Sequence, residues 1–166
     1  MISLITLHLL ACVPKHVEMS YSVRRPTGSW RSVQEGGADY AWYNRDLSAV
    51  IYVDANCEKK FEDRELKDSI QSLTQGISDG APISSSEMTI DSRVGRFEIH
   101  NGILDGVTVQ MGVALVSKNN CLYDFVYIAP PNRFDLGLSE FLSLTQSFQT
   151  HSQAGFKRTQ EEATPQ

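Results

Sequence analysis

The central part of the chain contains segments whose apolar residues recur with the spacing of β-strands. Residues 39–44 and 49–54 are rich in Tyr, Trp, Val and Ile, and the loop 45–48 between them predicts a hairpin. Four further strands are predicted at residues 87–91, 95–100, 107–115 and 121–129. The last of these segments is apolar at nearly every position, which indicates a strand that is buried on both faces of a sheet.

Two other segments repeat apolar residues with a helical period. The first covers residues 62–77 and has acidic residues in its first turn. Its apolar stripe consists of Leu66, Ile70, Leu73 and Ile77. The second helix is expected to begin at an N-cap, either Asp135 or Ser139, and its apolar stripe ends at Phe148.

The predicted order is strand, strand, helix, four strands, helix. It indicates an α+β fold with an antiparallel sheet of about six strands and helices packed on it. This order, with its closing Leu-rich helix, resembles the PsbP-like fold over residues 30–148. The resemblance implies an accessory or binding module, often one that assists a larger membrane complex. We expect one domain at residues 30–149 and a disordered polar tail at residues 150–166.

The beginning of the chain carries a second resemblance. The apolar run at residues 2–10 leads into Leu9-Leu10-Ala11-Cys12, which resembles the lipobox of bacterial lipoproteins. The resemblance implies a signal peptide at residues 1–11, a lipid on Cys12, and a polar tether at residues 12–29. The alternative is an ordinary buried strand or helix with an incidental cysteine. A transmembrane anchor is the weakest interpretation, because so short a run cannot span a bilayer.

The charge and the residue after Cys12 bear on location and partners. Val13, rather than an aspartate, follows the cysteine, which by resemblance to bacterial sorting rules implies the periplasmic face of the outer membrane. The net charge is -5 and the basic residues are scattered, which argues against a nucleic-acid partner. The expected partners are the membrane, through the lipid on Cys12, and a protein of the envelope.

Two cysteines remain if Cys12 is lipid-modified. Cys57 and Cys121 would then lie in an oxidising periplasm, where a disulfide between them would persist. The alternative is a pair of buried free thiols. A bridge between them would close a loop of about 65 residues and stabilise the fold by about 4 kcal/mol in the chain-entropy model.

Candidate chemistry is sparse. Residues 76–80 read Gly-Ile-Ser-Asp-Gly and match the G-x-S-x-G pattern of serine hydrolases, but they follow a helix, whereas that motif follows a strand. If Ser78 were the nucleophile of such a hydrolase, the chain order would make Asp105 or Asp124 its acid and His151 its base. An EF-hand-like spacing at residues 54–65 lacks the glycine that its sixth position needs, so calcium is not expected there. No other pattern indicates a metal or a cofactor, and none is expected.

Two polar residues on predicted strands need a separate interpretation. His100 alternates with Arg96 and Glu98, which predicts that all three share an exposed polar face. Asp124 lies inside an apolar run, so it is predicted to be a buried carboxylate, either hydrogen-bonded for structural reasons or part of a binding site.

These observations favour a lipid-anchored periplasmic module with a non-enzymatic binding or accessory role. Two alternatives stay open. The first is a small hydrolase or thiol enzyme that uses Ser78, Cys57 or Cys121. The second is a carrier of a small ligand, with a pocket between helix and sheet.

Overall fold

The computed structural model describes residues 20–33, 37–57 and 65–151. Seven strands form the main sheet and two form a small separate sheet. The main-sheet strands are β2 (Trp30–Ser32), β3 (Tyr40–Asn44), β4 (Ala49–Asn56), β5 (Ser84–Ile90), β6 (Arg93–Leu104), β7 (Val107–Lys118) and β8 (Cys121–Ala129). The small sheet contains β1 (Ser20–Ser22) and β9 (Gln149–His151), and the helices are α1 (Leu66–Thr74) and α2 (Phe134–Gln146).

The main sheet is entirely antiparallel, with the order β2-β3-β4-β8-β7-β6-β5. This confirms the predicted α+β class with an antiparallel sheet. Strand β2 was not among the six predicted strands. It has only three residues, which are too few to show an alternating pattern. Strand β6 extends beyond its predicted end, and the tight turn to β7 is formed by Asp105 and Gly106, both with positive φ.

Each face of the sheet packs against one helix, and strand β8 contributes to both cores. Tyr123, Phe125 and Tyr127 face α2. Leu122 and Val126 face the opposite way, into the core that contains Ile70 of α1. The prediction that residues 121–129 form a strand buried on both faces is therefore confirmed.

The two helices differ from the sequence expectations in detail. Ile70 is fully buried, but Leu73 is 36% exposed because Thr74 takes the inward position at the end of α1. Helix α2 begins after Arg133 without a side-chain N-cap. The predicted caps Asp135 and Ser139 both lie inside this helix, so that prediction was wrong.

The small sheet brings together a segment of the predicted tether and a segment that crosses the predicted boundary between domain and tail at residues 149 and 150. Ser20–Ser22 lies in the predicted tether, and the strand Gln149–His151 runs into the predicted tail, yet the two segments pair antiparallel. Thr150 donates two hydrogen bonds to Oδ2 of Asp91 in the turn between β5 and β6. The predicted signal peptide, Cys12 and the predicted tail beyond residue 151 lie outside the described residues.

The predicted disulfide is present. Cys57, directly after β4, is bonded to Cys121 at the start of the neighbouring strand β8, with Cα atoms 4.0 Å apart. Because each sulfur is bonded to the other, neither is a free thiol, and the thiol-enzyme alternative loses its nucleophile.

Candidate functional site

The loop after α1 places Ser78 against the sheet. Gly76 turns the chain with a φ of 84°, and Ser78 then forms an isolated antiparallel bridge with Gly102 of β6. The backbone of Ile77 approaches Gly102 so closely that any Cβ at residue 102 would collide with the Ile77 carbonyl. A glycine is therefore required there for the loop to reach the strand.

Glu98 and His100 lie on β6 beside this loop, and both are buried. Glu98 is 3% exposed and His100 is 4% exposed. The prediction that they share one face with Arg96 is correct, but the prediction that this face is exposed was wrong. Helix α1 and its following loop pack over this part of β6, which removes both side chains from solvent.

The three polar side chains form a continuous hydrogen-bonded series. Oγ of Ser78 lies 3.2 Å from Nδ1 of His100, and Nε2 of the same ring lies 3.0 Å from Oε2 of Glu98. Hydroxyl, imidazole and carboxylate therefore follow one another as in serine hydrolases, but with the two ring nitrogens exchanged, because there Nε2 contacts the serine and Nδ1 contacts the carboxylate. Sequence reasoning had suggested Asp105 or Asp124 and His151 as the partners of Ser78, and that suggestion was wrong. His151 instead contacts Ser22 in the small sheet.

The carboxylate of Glu98 is fixed from several sides. Its Oε1 accepts hydrogen bonds from Nε of Arg96 at 2.6 Å and from Oγ of Ser85 at 3.1 Å. Burial alone would raise the pKa of Glu98, but the hydrogen bonds from Arg96, His100 and Ser85 outweigh it, so this pKa lies below its ordinary value. Glu98 therefore favours its ionised form, and its Oε2 is the acceptor that faces Nε2 of His100, while Nδ1 of the same ring faces Ser78.

The series opens into a groove between α1 and β6. Its volume is about 1120 Å³, and Ser78, Glu98 and His100 are among its lining residues. The remaining lining comes from α1, from the loop after it and from Arg96, and it presents polar and apolar surface in similar amounts. Sequence reasoning recognised Ser78 and the alternation on β6 separately. It did not connect them, because their contact depends on how the loop folds back onto the strand.

Asp124 is a separate feature on the same side of the sheet. It is 8% exposed, as predicted, and it lies directly opposite Asp54 on β4. Burial, followed by the negative charges of Asp54 and Asp39, raises the pKa of Asp124 to about 7. Burial is also the main cause that raises the pKa of Asp54. The backbone amide of Asp124 itself donates a hydrogen bond to this carboxyl and lowers its pKa, but less than burial raises it.

Two further observations on the described residues concern metal binding and membrane crossing. No group of three or more His, Cys, Asp or Glu within them is arranged to hold a metal ion. Neither described helix is long and apolar enough to cross a membrane.

Comparison with known proteins identifies the fold but no family. No protein-family model matches this sequence, and no curated protein matches it. Solved structures do match. The cyanobacterial PsbP protein CyanoP of Synechocystis sp. PCC 6803 has a TM-score of 0.53 and 14% identity over 86% of this chain and 99% of its own. The fold is therefore PsbP-like, which confirms the resemblance drawn from the element order.

Two other solved structures share this fold. LpqN of Mycobacterium tuberculosis, described as involved in cell envelope biogenesis, has a TM-score of 0.55 and 9% identity over 83% of this chain and 88% of its own. A protein of Bacteroides thetaiotaomicron has a TM-score of 0.60 and 11% identity over 81% of this chain. The present chain covers only 46% of that protein's length. At these identities the similarity concerns the fold alone.

Proposed function

We propose that this chain is a lipid-anchored module of the bacterial cell envelope with a binding or accessory role, held by Cys12 at the periplasmic face of the outer membrane. The lipobox-like sequence at residues 9–12 supports the anchor. The disulfide between Cys57 and Cys121 supports an oxidising compartment. A PsbP-like fold shared with a mycobacterial envelope protein is compatible with both.

The observation that carries the proposal is where the tether joins the fold. Strand β1 begins at Ser20 and pairs with β9, which is bonded to the turn at Asp91. Tyr21 also packs against Tyr123, near the start of β8. We call this the proximal end of the sheet. The eight residues from Cys12 to Ser20 can span at most about 27 Å, so this end would lie near the lipid.

The opposite end of the sheet, here called the distal end, carries the turns at residues 45–48 and 105–106. Strand β6 runs from one end to the other, and its twelve residues span about 35–40 Å. Four large apolar side chains are exposed towards the distal end: Ile83, Ile103, Val107 and Leu136. The distal end would thus be held away from the membrane with apolar groups available to a protein partner.

Intact-mass measurement tests the anchor. The full chain is produced in a Gram-negative bacterium and recovered from membranes under non-reducing conditions, beside a Cys12→Ala variant. We expect a mass that lacks residues 1–11 and includes acyl chains, whereas the variant should lose the acyl mass and leave the membrane fraction. An unmodified full-length chain in the soluble fraction would refute the anchor.

Site-specific photo-crosslinking tests the distal surface. A photoreactive residue is placed at Ile103 in the distal end, and a matched one is placed at Ser92, in the exposed turn of the proximal end. We expect a discrete crosslinked protein from position 103 and none from position 92. Equal crosslinking at both positions, or none at position 103, would contradict the proposed orientation.

A further inference from the structure

We propose that Ser78 is an activated nucleophile that accepts an acyl group from a carboxylic ester bound in the groove, with His100 as its general base and Glu98 as the positioning residue. This activity goes beyond the tethering role. It would make the module a small esterase, and it replaces the expectation that the domain is non-enzymatic.

The geometry meets two requirements for an activated serine. The nucleophile must contact a base, and the base must be oriented by a third group. Ser78 Oγ lies 3.2 Å from one nitrogen of His100, and Glu98 lies 3.0 Å from the other nitrogen. The Ser78 hydroxyl also donates to the Gly80 carbonyl oxygen at 3.0 Å, so it must turn from that oxygen towards His100 to be activated. Because Glu98 is itself fixed by Arg96 and Ser85, the imidazole is oriented with Nε2 towards the carboxylate and Nδ1 towards the serine.

The burial of these groups is unusual for a purely structural contact. Placing a carboxylate and an imidazole almost completely inside the protein has a desolvation cost that apolar residues at the same positions would not have. Strand β6 nevertheless carries Glu98 and His100 under α1, and Gly102 allows Ser78 to reach them. Buried titratable groups that line a groove and contact a nucleophile are typical of reactive sites.

The reaction balances with water as the only co-reactant. Ser78 Oγ attacks the ester carbonyl carbon while its proton moves to Nδ1 of His100, and the tetrahedral intermediate expels the alcohol, which takes that proton. Water then attacks the acyl-serine, again giving its proton to His100 and restoring Ser78. The products are a carboxylic acid and an alcohol. Lys67 and Arg96 line the same groove and are the positive side chains available to the oxyanion, although Nε of Arg96 is already bonded to Glu98.

The groove also limits the substrate class. It is open to solvent, and its lining combines polar and apolar surface, with Lys67, Gln71 and Gln75 among the polar residues from α1 and the loop after it. An enclosed apolar channel for a long acyl chain is absent from the described part of this site. We therefore expect esters of short acyl groups.

A fluorophosphonate probe tests the nucleophile on the full chain. We expect one covalent adduct, mapped to Ser78 by peptide mass spectrometry and absent from Ser78→Ala. His100→Ala should react at least ~100-fold more slowly, because a general base contributes 10²–10⁴-fold. Ser86→Ala, an exposed serine on β5, is the matched control and should react like the unmodified chain. No adduct, or an adduct that persists in Ser78→Ala, would overturn the proposal.

The pH profile of the unmodified chain provides a test that does not depend on a variant folding. The rate of labelling, and of p-nitrophenyl acetate hydrolysis, should rise with pH and then level off, as expected when a general base activates the serine. Glu98→Gln should change the pH at which the rate levels off as well as the maximal rate, because it alters the partner of Nε2 of His100. A rate that is independent of pH between 5 and 9 would show that His100 is not the base.

Discussion

The buried carboxylate of Asp124 gives the sharpest prediction about stability. Its pKa is about 7 in the folded protein against an ordinary value of 3.8. Between these values the folded state keeps a proton that the unfolded state has released. The free energy of unfolding therefore falls as pH rises from about 4 to about 7 and changes little above that. At 1.36 kcal/mol for each pH unit, the loss is of the order of 4 kcal/mol.

Asp124→Asn removes this ionisation and keeps the size of the side chain. We expect the variant to match the unmodified protein near pH 4 and to exceed its stability by up to about 4 kcal/mol at pH 8. The measurement is urea unfolding at pH 4, 6 and 8, with the difference between the two proteins plotted against pH. Taking the difference removes the contributions of other titrating groups, such as Glu98 and Asp91.

Asp54→Asn is the companion variant, because Asp54 is the nearest charge that opposes ionisation of Asp124. It should lower the pKa of Asp124. At pH 8 its free energy of unfolding should therefore exceed that of the unmodified protein, but by less than the free energy of Asp124→Asn does. A difference between the Asp124→Asn variant and the unmodified protein that stays constant with pH would refute the reasoning, because a packing change has no such dependence.

Three further predictions concern contacts that hold the fold together. Replacing both Cys57 and Cys121 by Ser should lower stability by about 4 kcal/mol, measured by denaturant unfolding beside the oxidised protein. Gly137→Ala should lower the melting temperature, because its Cβ would lie 2.5 Å from Oη of Tyr127, whereas Gly28→Ala would show only backbone strain. Asp91→Asn should cost of the order of 1–2 kcal/mol at pH 7. That loss should shrink as pH falls, because the pKa of Asp91, which burial would raise, is lowered by its partners Lys118 and Thr150. For each of these variants, an unfolding midpoint equal to that of the unmodified protein would refute the corresponding prediction.

Much of the fold follows from local patterns, because each long strand carries its own alternation. Strands β3, β4, β7 and β8 were predicted at nearly their observed bounds. The three-residue strands β1, β2 and β9 were not, since pairing with distant segments rather than local preference makes them strands. Asp124 was predicted to be buried because a single carboxylate interrupts an otherwise apolar strand.

The candidate site shows where sequence reasoning stops. Ser78 was recognised from its motif, and Glu98 and His100 were placed on one face of a strand. The covering of that face depends on α1 packing across β6, and the contact with Ser78 depends on the close approach at Gly102. Both are tertiary events, and no spacing along the chain encodes them directly.

The two edges of the main sheet have a consequence for how the protein behaves when it is crowded. An unpaired edge strand exposes backbone groups that can recruit the edge of another molecule. Strand β2 offers only three residues, with exposed Arg31 among them. Strand β5 is longer, but its exposed first half is three serines followed by Glu87. The short β2 and the polar first half of β5 disfavour the joining of two main sheets edge to edge, even at high local concentration.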